Sequence, residues 1–245
     1  MKAVVIIPTY NERQNIQNLI PVVLRQRKDI HVLVVDDNSP DGTADMVKEM
    51  AKKEPRVHCL LREKKEGLGR AYIAGMQYAM NMPQRFDLFF EMDADFSHNP
   101  DEMYLFFEAF EDGADVVCGS RYLHGVRILN WDLKRLLLSL GGNLYARFVT
   151  GVPLTDLTGG YNAYTRRALE VINLSSIRSN GYAFQIEMKA KAYYHGLSVV
   201  EIPIVFRDRY EGTTKMNSGI VNEALFQCWA IRFSKYTIHR HHENQ

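Results

Sequence analysis

The chain has 245 residues, 46% of them hydrophobic, and a formal net charge of +1 at pH 7. This length suits one α/β domain with extensions, and the near-neutral charge argues against a protein that coats nucleic acid. The three cysteines lie far apart without metal-ligand spacing, which is typical of free thiols in a reducing compartment. The N-terminus does not resemble a signal peptide, and no stretch reaches the roughly 18–20 apolar residues of a spanning helix. We therefore predict a single domain, residues 1–245, without a transmembrane segment.

Short apolar runs alternate with amphipathic stretches through the first half of the chain. In chain order, the pattern predicts strand Ala3–Ile7, helix Glu12–Arg27, strand Val32–Val35, helix Gly42–Lys53, strand Val57–Leu61, helix Leu68–Met80, strand Leu88–Met92, helix Asp101–Glu111 and strand Asp115–Cys118. Strands that alternate with helices indicate βαβ units around a mainly parallel sheet, and continuous apolar strands indicate helices on both faces. The predicted class is therefore an α/β fold.

The second half of the chain is less regular. It predicts an amphipathic helix Trp131–Thr150, strand Gly160–Tyr164, helices Arg166–Ile172 and Ala183–His195, strand Val199–Phe206 and helix Asn222–Phe233. No internal repeat or low-complexity segment divides the chain.

Polar residues cluster where three predicted strands end, at Pro8–Glu12, Asp36–Ser39 and Asp93–Asp95. Ligands of parallel sheets bind at the carboxyl ends of the strands. Asp93 and Asp95 can turn toward one Mg²⁺ or Mn²⁺ ion, which proteins hold with one or two carboxylates and substrate phosphates. Ordinary turns and helix caps explain single residues of this kind. Three acidic strand ends on one edge instead favour a site for a nucleotide diphosphate.

Nine motifs carry a resemblance that reaches from the N-terminus to about Met216. They are IIPTYNE (Ile6–Glu12), VVDDNSPDGT (Val34–Thr43), GLGRAY (Gly67–Tyr72), MDADFSHNP (Met92–Pro100), GSRY (Gly119–Tyr122), NWDLKR (Asn130–Arg135), TDLTGGYNAY (Thr155–Tyr164), GYAFQIEM (Gly181–Met188) and FRDRYEGTTKM (Phe206–Met216). The chain resembles the inverting nucleotide-sugar glycosyltransferases of the GT-A fold, and within them the dolichol-phosphate (polyprenol-phosphate) mannose synthases. The later motifs are more specific to the lipid-phosphate group than the first two.

The resemblance implies a donor-binding part at about residues 1–120 and an acceptor and lid part at about 121–245. The donor residues implied are Pro8, Tyr10, Glu12, Val35 and Asp37 for the nucleoside, Asp93 and Ala94 for the nucleotide, and Arg209 and Lys215 for the phosphates. Glu12 has an alternative interpretation as a first-turn carboxylate that the helix dipole favours.

The same resemblance implies the metal ligands, the catalytic residues and the acceptor site. The metal ligands are Asp93, Asp95 and Ser97, the catalytic residues are Asp95, Arg121 and Arg209, and the acceptor phosphate ligands are Arg121, Arg135 and Ser139. We expect His98 to be structural rather than a ligand. Arg135 and Ser139 lie four residues apart and share a helix face. The leucines of that helix suit a surface at a membrane interface, although an ordinary helix packed on the sheet is an equal alternative.

The reaction implied is inverting transfer of mannose from GDP-mannose to a polyprenyl monophosphate, which gives polyprenyl phosphate β-mannose. Such a phosphate is largely dianionic at neutral pH and needs no strong general base. We therefore expect Asp156 to hold sugar hydroxyls or to orient arginines. A UDP-hexose donor such as UDP-glucose, or a non-catalytic nucleotide-binding subunit, remain alternatives. The predicted location is peripheral, on the cytoplasmic side of a membrane, held directly or by a membrane-embedded partner.

Overall fold

A seven-stranded mixed sheet forms the centre of the computed structural model, which describes residues 1–207 and 225–234. Its strands are β1 (Ala3–Thr9), β2 (Ile30–Asp36), β3 (Val57–Leu61), β4 (Leu88–Glu91), β5 (Val116–Ser120), β7 (Asn162–Thr165) and β8 (Val199–Pro203). Two short strands, β6 (Ile128–Leu129) and β9 (Phe206–Arg207), pair with each other in a separate sheet. The strand order in the large sheet is β3-β2-β1-β4-β7-β5-β8.

Helices cover both faces of this sheet, as predicted. They are α1 (Arg13–Gln26), α2 (Thr43–Lys53), α3 (Leu68–Met80), α4 (Met103–Glu111), α5 (Leu133–Thr150), α6 (Arg166–Ile172) and α7 (Gly181–Tyr194), and residues 225–234 are also helical. Alternate residues of β1 point to opposite faces, so Val4 and Ile6 join the apolar cluster of α3, α5, α6 and α7. Val5 and Ile7 join the cluster of α1, α2 and α4.

The order of the strands reverses at β1. β1 pairs in parallel with β2 on one side and with β4 on the other. Open α/β sheets bind ligands in the crevice at such a switch point. The turns that follow β1 and β4 therefore flank the position where a ligand is expected.

Several element bounds differ from the prediction for local physical reasons. The expected strand Val199–Phe206 stops at Pro203, because the amides of Val205 and Phe206 donate to Glu102 Oε1 (2.8 Å) and to the Arg127 carbonyl oxygen (2.9 Å) instead, and β9 then joins β6. Helix α5 begins at Leu133 because the side chain of Asp132 accepts a hydrogen bond from the amide of Arg135 and caps it. The first three residues of the predicted last helix, 222–224, lie outside the described residues. The single-domain organisation and its division near residue 120 stay predictions.

No helix within residues 1–207 and 225–234 combines the length and the apolar character that crossing a bilayer requires.

The contact of α3 with β1 and β2 gives a test of the packing. A Cβ atom at Gly75 would lie 2.6 Å from Ile6 Cγ2 and 2.8 Å from Val35 Cγ2. We expect Gly75→Ala to lower the free energy of unfolding by about 1–3 kcal/mol, because the helix must move away from the sheet. Gly141→Ala is the matched control, since no described atom lies within 4 Å of that Cβ, and it should be neutral or stabilising by up to about 1 kcal/mol. Equal effects in chemical denaturation would contradict this packing.

Candidate active site

Three turns leave the carboxyl edge of the sheet, and each contains a residue with a left-handed backbone. These residues are Asn11 (φ 62°) after β1, Asn38 (φ 58°) after β2 and Phe96 (φ 61°) after β4. Asparagine adopts this conformation readily, whereas a bulky phenylalanine pays roughly 1–2 kcal/mol for it. Such strain persists where the surrounding structure fixes the turn, and it concentrates at functional sites. The turn after β4 is therefore the most constrained of the three.

Two buried side chains hold Asp93 within this turn. Tyr72 Oη donates a hydrogen bond to Asp93 Oδ1 (3.1 Å), and the Asp93 amide donates to His98 Nδ1 (3.1 Å). Burial, reinforced by Asp93, raises the pKa of Tyr72 well above its ordinary value, so its hydroxyl stays protonated as a donor. Burial lowers the pKa of His98, and its ring stacks on Tyr161 at 4.9 Å between centroids. His98 thus has a structural contact with the turn, as expected.

The remaining predicted metal ligands offer only oxygen atoms. Asp95 Oδ1 accepts a hydrogen bond from the Ser97 amide (3.0 Å), and Ser97 Oγ is buried without a hydrogen-bond partner. An orphaned hydroxyl in the same turn as two carboxylates suits a hard divalent ion such as Mg²⁺ or Mn²⁺. Among the described residues, no three His, Cys, Asp or Glu side chains come together as a metal cluster.

The turns after β1 and β2 carry the predicted nucleoside residues. Pro8 is half-buried, and Tyr10 is 41% exposed with Lys65 Nζ 4.3 Å from its ring centroid. Glu12 directly precedes α1 and accepts a hydrogen bond from Asn15 Nδ2 (2.7 Å). The exposed face of Tyr10 remains suited to a base. Glu12 is the N-cap residue of α1 and not a first-turn residue, and its side chain makes no capping hydrogen bond, so its alternative interpretation is not supported in that form.

Asp37 and Val35 are more enclosed than the sequence suggested. Asp37 is buried and forms an ion pair with Arg62 Nη1 at 2.8 Å. Burial raises the pKa of Asp37, although the Arg62 charge opposes this effect. Val35 is fully buried, and its side chain belongs to the apolar cluster under α3. Only the main chain of Val35 can therefore contact a nucleoside, which narrows the predicted role. The buried Ala94 is limited in the same way.

Arg121, at the end of β5, is held by Asp156. Its Nε and Nη2 donate to the two carboxylate oxygens of Asp156 at 2.6 and 2.7 Å, and Nη2 also donates to Thr158 Oγ1 at 2.8 Å. Burial alone would raise the pKa of Asp156, but the Arg121 charge and hydrogen bonds outweigh it and lower that pKa to about 2. Asp156 thus orients an arginine, one of the two roles expected for it.

The two other predicted acceptor residues lie close to Arg121. The guanidinium carbon of Arg135 is 4.2 Å from the ring centroid of Trp131, and that of Arg121 is 5.6 Å from the same centroid. Tyr122, whose ring lies 5.3 Å from Arg121 Cζ, donates its hydroxyl proton to Ser139 Oγ at 2.7 Å. The structure therefore gathers all three predicted residues around two aromatic side chains.

Residues 155–161 form a loop without exposed residues, and this loop contains the Asp156 that binds Arg121. Its backbone groups bind Asn143 of α5, Lys189 of α7 and Glu201 of β8. Lys189 is fully buried, and its Nζ donates to the carbonyl oxygens of residues 156 and 159 at 2.8 and 2.9 Å. Sequence analysis missed these three residues and Arg62. The one available signal of a buried polar contact was Lys189 itself, a lysine within a largely apolar helix.

Two predicted phosphate ligands, Arg209 and Lys215, lie outside the described residues, so their roles stay predictions.

Comparison with known proteins places the chain among sugar transferases. Residues 4–172 match the family model described as Glycosyl transferase family 2. The polyprenol monophosphomannose synthase of Mycolicibacterium smegmatis is 44% identical over 94% of this chain and 88% of its own length. The undecaprenyl-phosphate mannosyltransferase of Micrococcus luteus is 43% identical over 92% of this chain and 91% of its own. These findings confirm the resemblance that the motifs indicated.

Solved structures confirm the predicted GT-A-type fold. Glucosyl-3-phosphoglycerate synthase from Mycobacterium tuberculosis, in complex with Mn²⁺, UDP-glucose and phosphoglyceric acid, superposes with a TM-score of 0.66 at 17% identity, over 96% of this chain and 79% of that one. A mannosyltransferase from Pyrobaculum calidifontis, in complex with GDP-Man and Mn²⁺, gives a TM-score of 0.59 at 19% identity. This match covers 96% of this chain and 64% of that one.

The contact of Tyr72 with Asp93 leads to a prediction about metal affinity. We expect Tyr72→Phe to weaken Mn²⁺ binding in the presence of GDP about tenfold, because Asp93 loses the hydrogen bond that fixes its carboxylate. Electron paramagnetic resonance of free Mn²⁺ measures this. Tyr194→Phe is the control, since it also removes a buried hydroxyl, one that donates to the Thr150 carbonyl, and it should leave the affinity unchanged. An unchanged affinity in Tyr72→Phe would contradict the role of Tyr72.

Proposed function

The chain belongs to Glycosyl transferase family 2 and is a glycosyltransferase, and from this premise we propose that it transfers mannose from GDP-mannose to a polyprenyl monophosphate. The names of both relatives support mannose as the sugar and a polyprenyl phosphate as the acceptor. Within this chain, the observation that carries the proposal is the meeting of Arg121, Arg135 and Ser139 around Trp131 and Tyr122. Two guanidinium groups and a hydroxyl suit a phosphate monoester.

On the donor side, each group has a proposed task. Asp93, Asp95 and Ser97 would hold Mg²⁺ or Mn²⁺, which when bound neutralises the charge of the diphosphate leaving group. Pro8, Tyr10, Glu12 and Asp37, with the main chain of Val35 and Ala94, would contact the nucleotide. Arg209 and Lys215 would contact its phosphates.

The acceptor phosphate brings its own negative charge to the reaction. A phosphate oxygen forms a bond to the anomeric carbon while the bond from that carbon to the donor diphosphate breaks, and GDP leaves with the electron pair. The transition state is oxocarbenium-like, and in-line attack inverts the configuration to the β product. No proton has to be removed from a dianionic monoester. Asp156 suits this scheme, because a carboxyl with a pKa of about 2 that is bound to Arg121 is a poor base.

An exposed apolar face lies on the helix that contributes Arg135 and Ser139. We use the term apolar face for the exposed side chains of Leu133, Leu137, Leu144 and Phe148 on α5 and of Phe226, Trp229 and Phe233 in the helical segment 225–234. The four α5 residues recur at intervals of one or two turns and therefore share one side. Tyr145 Oη donates to the Leu225 carbonyl oxygen (3.2 Å) and connects the two helices. This face supports peripheral attachment to the membrane that contains the lipid acceptor.

Donor competition tests the reaction. We expect purified protein with a divalent ion to label a polyprenyl phosphate from GDP-mannose, and Asp95→Asn to lower the rate at least about 100-fold through lost metal stabilisation of the leaving group. The matched control is Asp45→Asn, since Asp45 is an exposed carboxylate on α2 whose side chain pairs with Lys48, and it should retain the full rate.

If only a UDP-hexose labels the lipid, the donor is the alternative, a UDP-hexose, and the proposal of GDP-mannose is wrong. Nucleotide binding without transfer from any sugar donor would favour the non-catalytic subunit instead.

Vesicle binding tests the apolar face. We expect the double variant Leu137→Glu, Phe148→Glu to bind anionic phospholipid vesicles at least about tenfold more weakly, because two exposed apolar side chains that would enter the membrane interface become charged. Tyr104→Glu is the control, since Tyr104 is 58% exposed on α4, which packs on the opposite face of the sheet, and its binding should not change. The membrane proposal would be contradicted if the protein dimerises through this face and the double variant is a monomer that binds vesicles as well as the unaltered protein.

A further inference from the structure

Trp131 lies between a reversal of the chain and the start of α5. Asn130 has a left-handed backbone (φ 68°), and Asp132 caps the helix by accepting from the Arg135 amide at 2.8 Å. Side chains in a helix lean toward its N-terminus. Arg135, in the first turn, therefore reaches back over the indole ring of Trp131, and its guanidinium carbon lies 4.2 Å from the ring centroid.

The ring of Trp131 is itself fixed by a neighbour from another part of the chain. Phe206 of β9 meets it edge to face, with 5.6 Å between centroids and an interplanar angle of 70°, the arrangement that aromatic pairs prefer. The guanidinium carbon of Arg121 lies 5.6 Å from the ring centroids of both Trp131 and Phe206. One indole thus contacts two arginines, Arg121 directly after β5 and Arg135 in α5.

Charge explains why such a contact is useful. Two guanidinium groups that face one anion repel each other before the anion arrives. Asp156 offsets part of this repulsion at Arg121 through its paired carboxylate. The negative π face of an indole attracts both cations, and tryptophan is the best side chain for this contact. A pair of arginines that is held in place beforehand loses less side-chain freedom when the phosphate binds.

We propose that Trp131 is a positioning residue of the acceptor site, whose indole ring holds Arg121 and Arg135 as one unit for a phosphate monoester. The proposal rests on the proposed acceptor site and names the group that orders it. Trp131 acts on the phosphate through the two arginines, so its effect falls on acceptor binding. We expect a smaller effect on the donor turn around Asp93, because Trp131 reaches it through two further rings, Phe206 and His98.

Steady-state kinetics with farnesyl phosphate as a short acceptor separate this role from a general structural one. We expect Trp131→Leu to raise KM for farnesyl phosphate about tenfold, and Trp131→Phe about threefold because a phenyl ring keeps part of the cation–π attraction. KM for GDP-mannose should rise less than KM for farnesyl phosphate. An equal rise in both KM values, or equal effects of leucine and phenylalanine, would overturn the proposal.

Tryptophan fluorescence tests the same proposal in a protein that retains Trp131, and it does not depend on catalytic turnover. The chain has two tryptophans, so Trp229→Phe leaves Trp131 as the single indole. We expect farnesyl phosphate to change its emission in a saturable way, and Arg135→Gln to abolish the change. An emission that does not respond to farnesyl phosphate, while the binding of the lipid is detected by calorimetry, would overturn the proposal.

The two proposals fail in different ways. If the unaltered protein transfers no mannose, the proposed function is wrong, and the emission experiment alone decides the role of Trp131. If transfer occurs and the kinetic pattern of Trp131→Leu is absent, only the role of Trp131 is wrong.

Discussion

The antiparallel strand β7 is the constraint on which the site depends. It lies between β4 and β5, which run parallel to each other, and pairs with both. The chain must therefore enter β7 from the carboxyl edge of the sheet, where ligands bind, and it does so through the 155–161 loop. No residue of this loop is exposed. Buried backbone groups must find hydrogen-bond partners, which accounts for the polar side chains around it, the buried Asn143 and Lys189 and the partly buried Glu201.

The loop connects the donor and acceptor ends of the site. At one end Asp156 pairs with Arg121, and at the other the ring of Tyr161 stacks on His98, which holds the amide of Asp93. At the start of β7, Asn162 Nδ2 donates to a carboxylate oxygen of Glu91 at 2.9 Å, and burial raises the pKa of that carboxyl to about 7. A substitution inside the loop is therefore expected to affect both the proposed metal turn and the proposed phosphate site.

The sequence predicts the turns that carry the site residues better than it predicts the partners that those residues bind. Continuous apolar runs and acidic strand ends locate the turns at Asp37 and Asp93, since both signals are local. The partners of these residues come from distant segments. Arg62 follows β3 with no motif around it, and the Tyr72 hydroxyl meets Asp93 only because α3 packs across the sheet. Phenylalanine rarely adopts the left-handed backbone that Phe96 has, so the surrounding structure must impose this conformation and the residue type does not predict it.

The pairing of Arg121 with Asp156 also bears on the choice of acceptor. Asp156 lies in the region where relatives that use a hydroxyl acceptor are expected to keep a general base, and a base must have a free oxygen and a pKa near the working pH. Here both carboxylate oxygens bind Arg121, and the pKa falls to about 2. The same carboxylate cannot deprotonate a hydroxyl and neutralise this arginine at once. The anionic acceptor proposed above would remove the need for the first task and make use of the second, because the oriented arginine is its proposed ligand. In this proposal, hydroxyl and phosphate acceptors differ in the partner of one carboxylate, within the same GT-A frame.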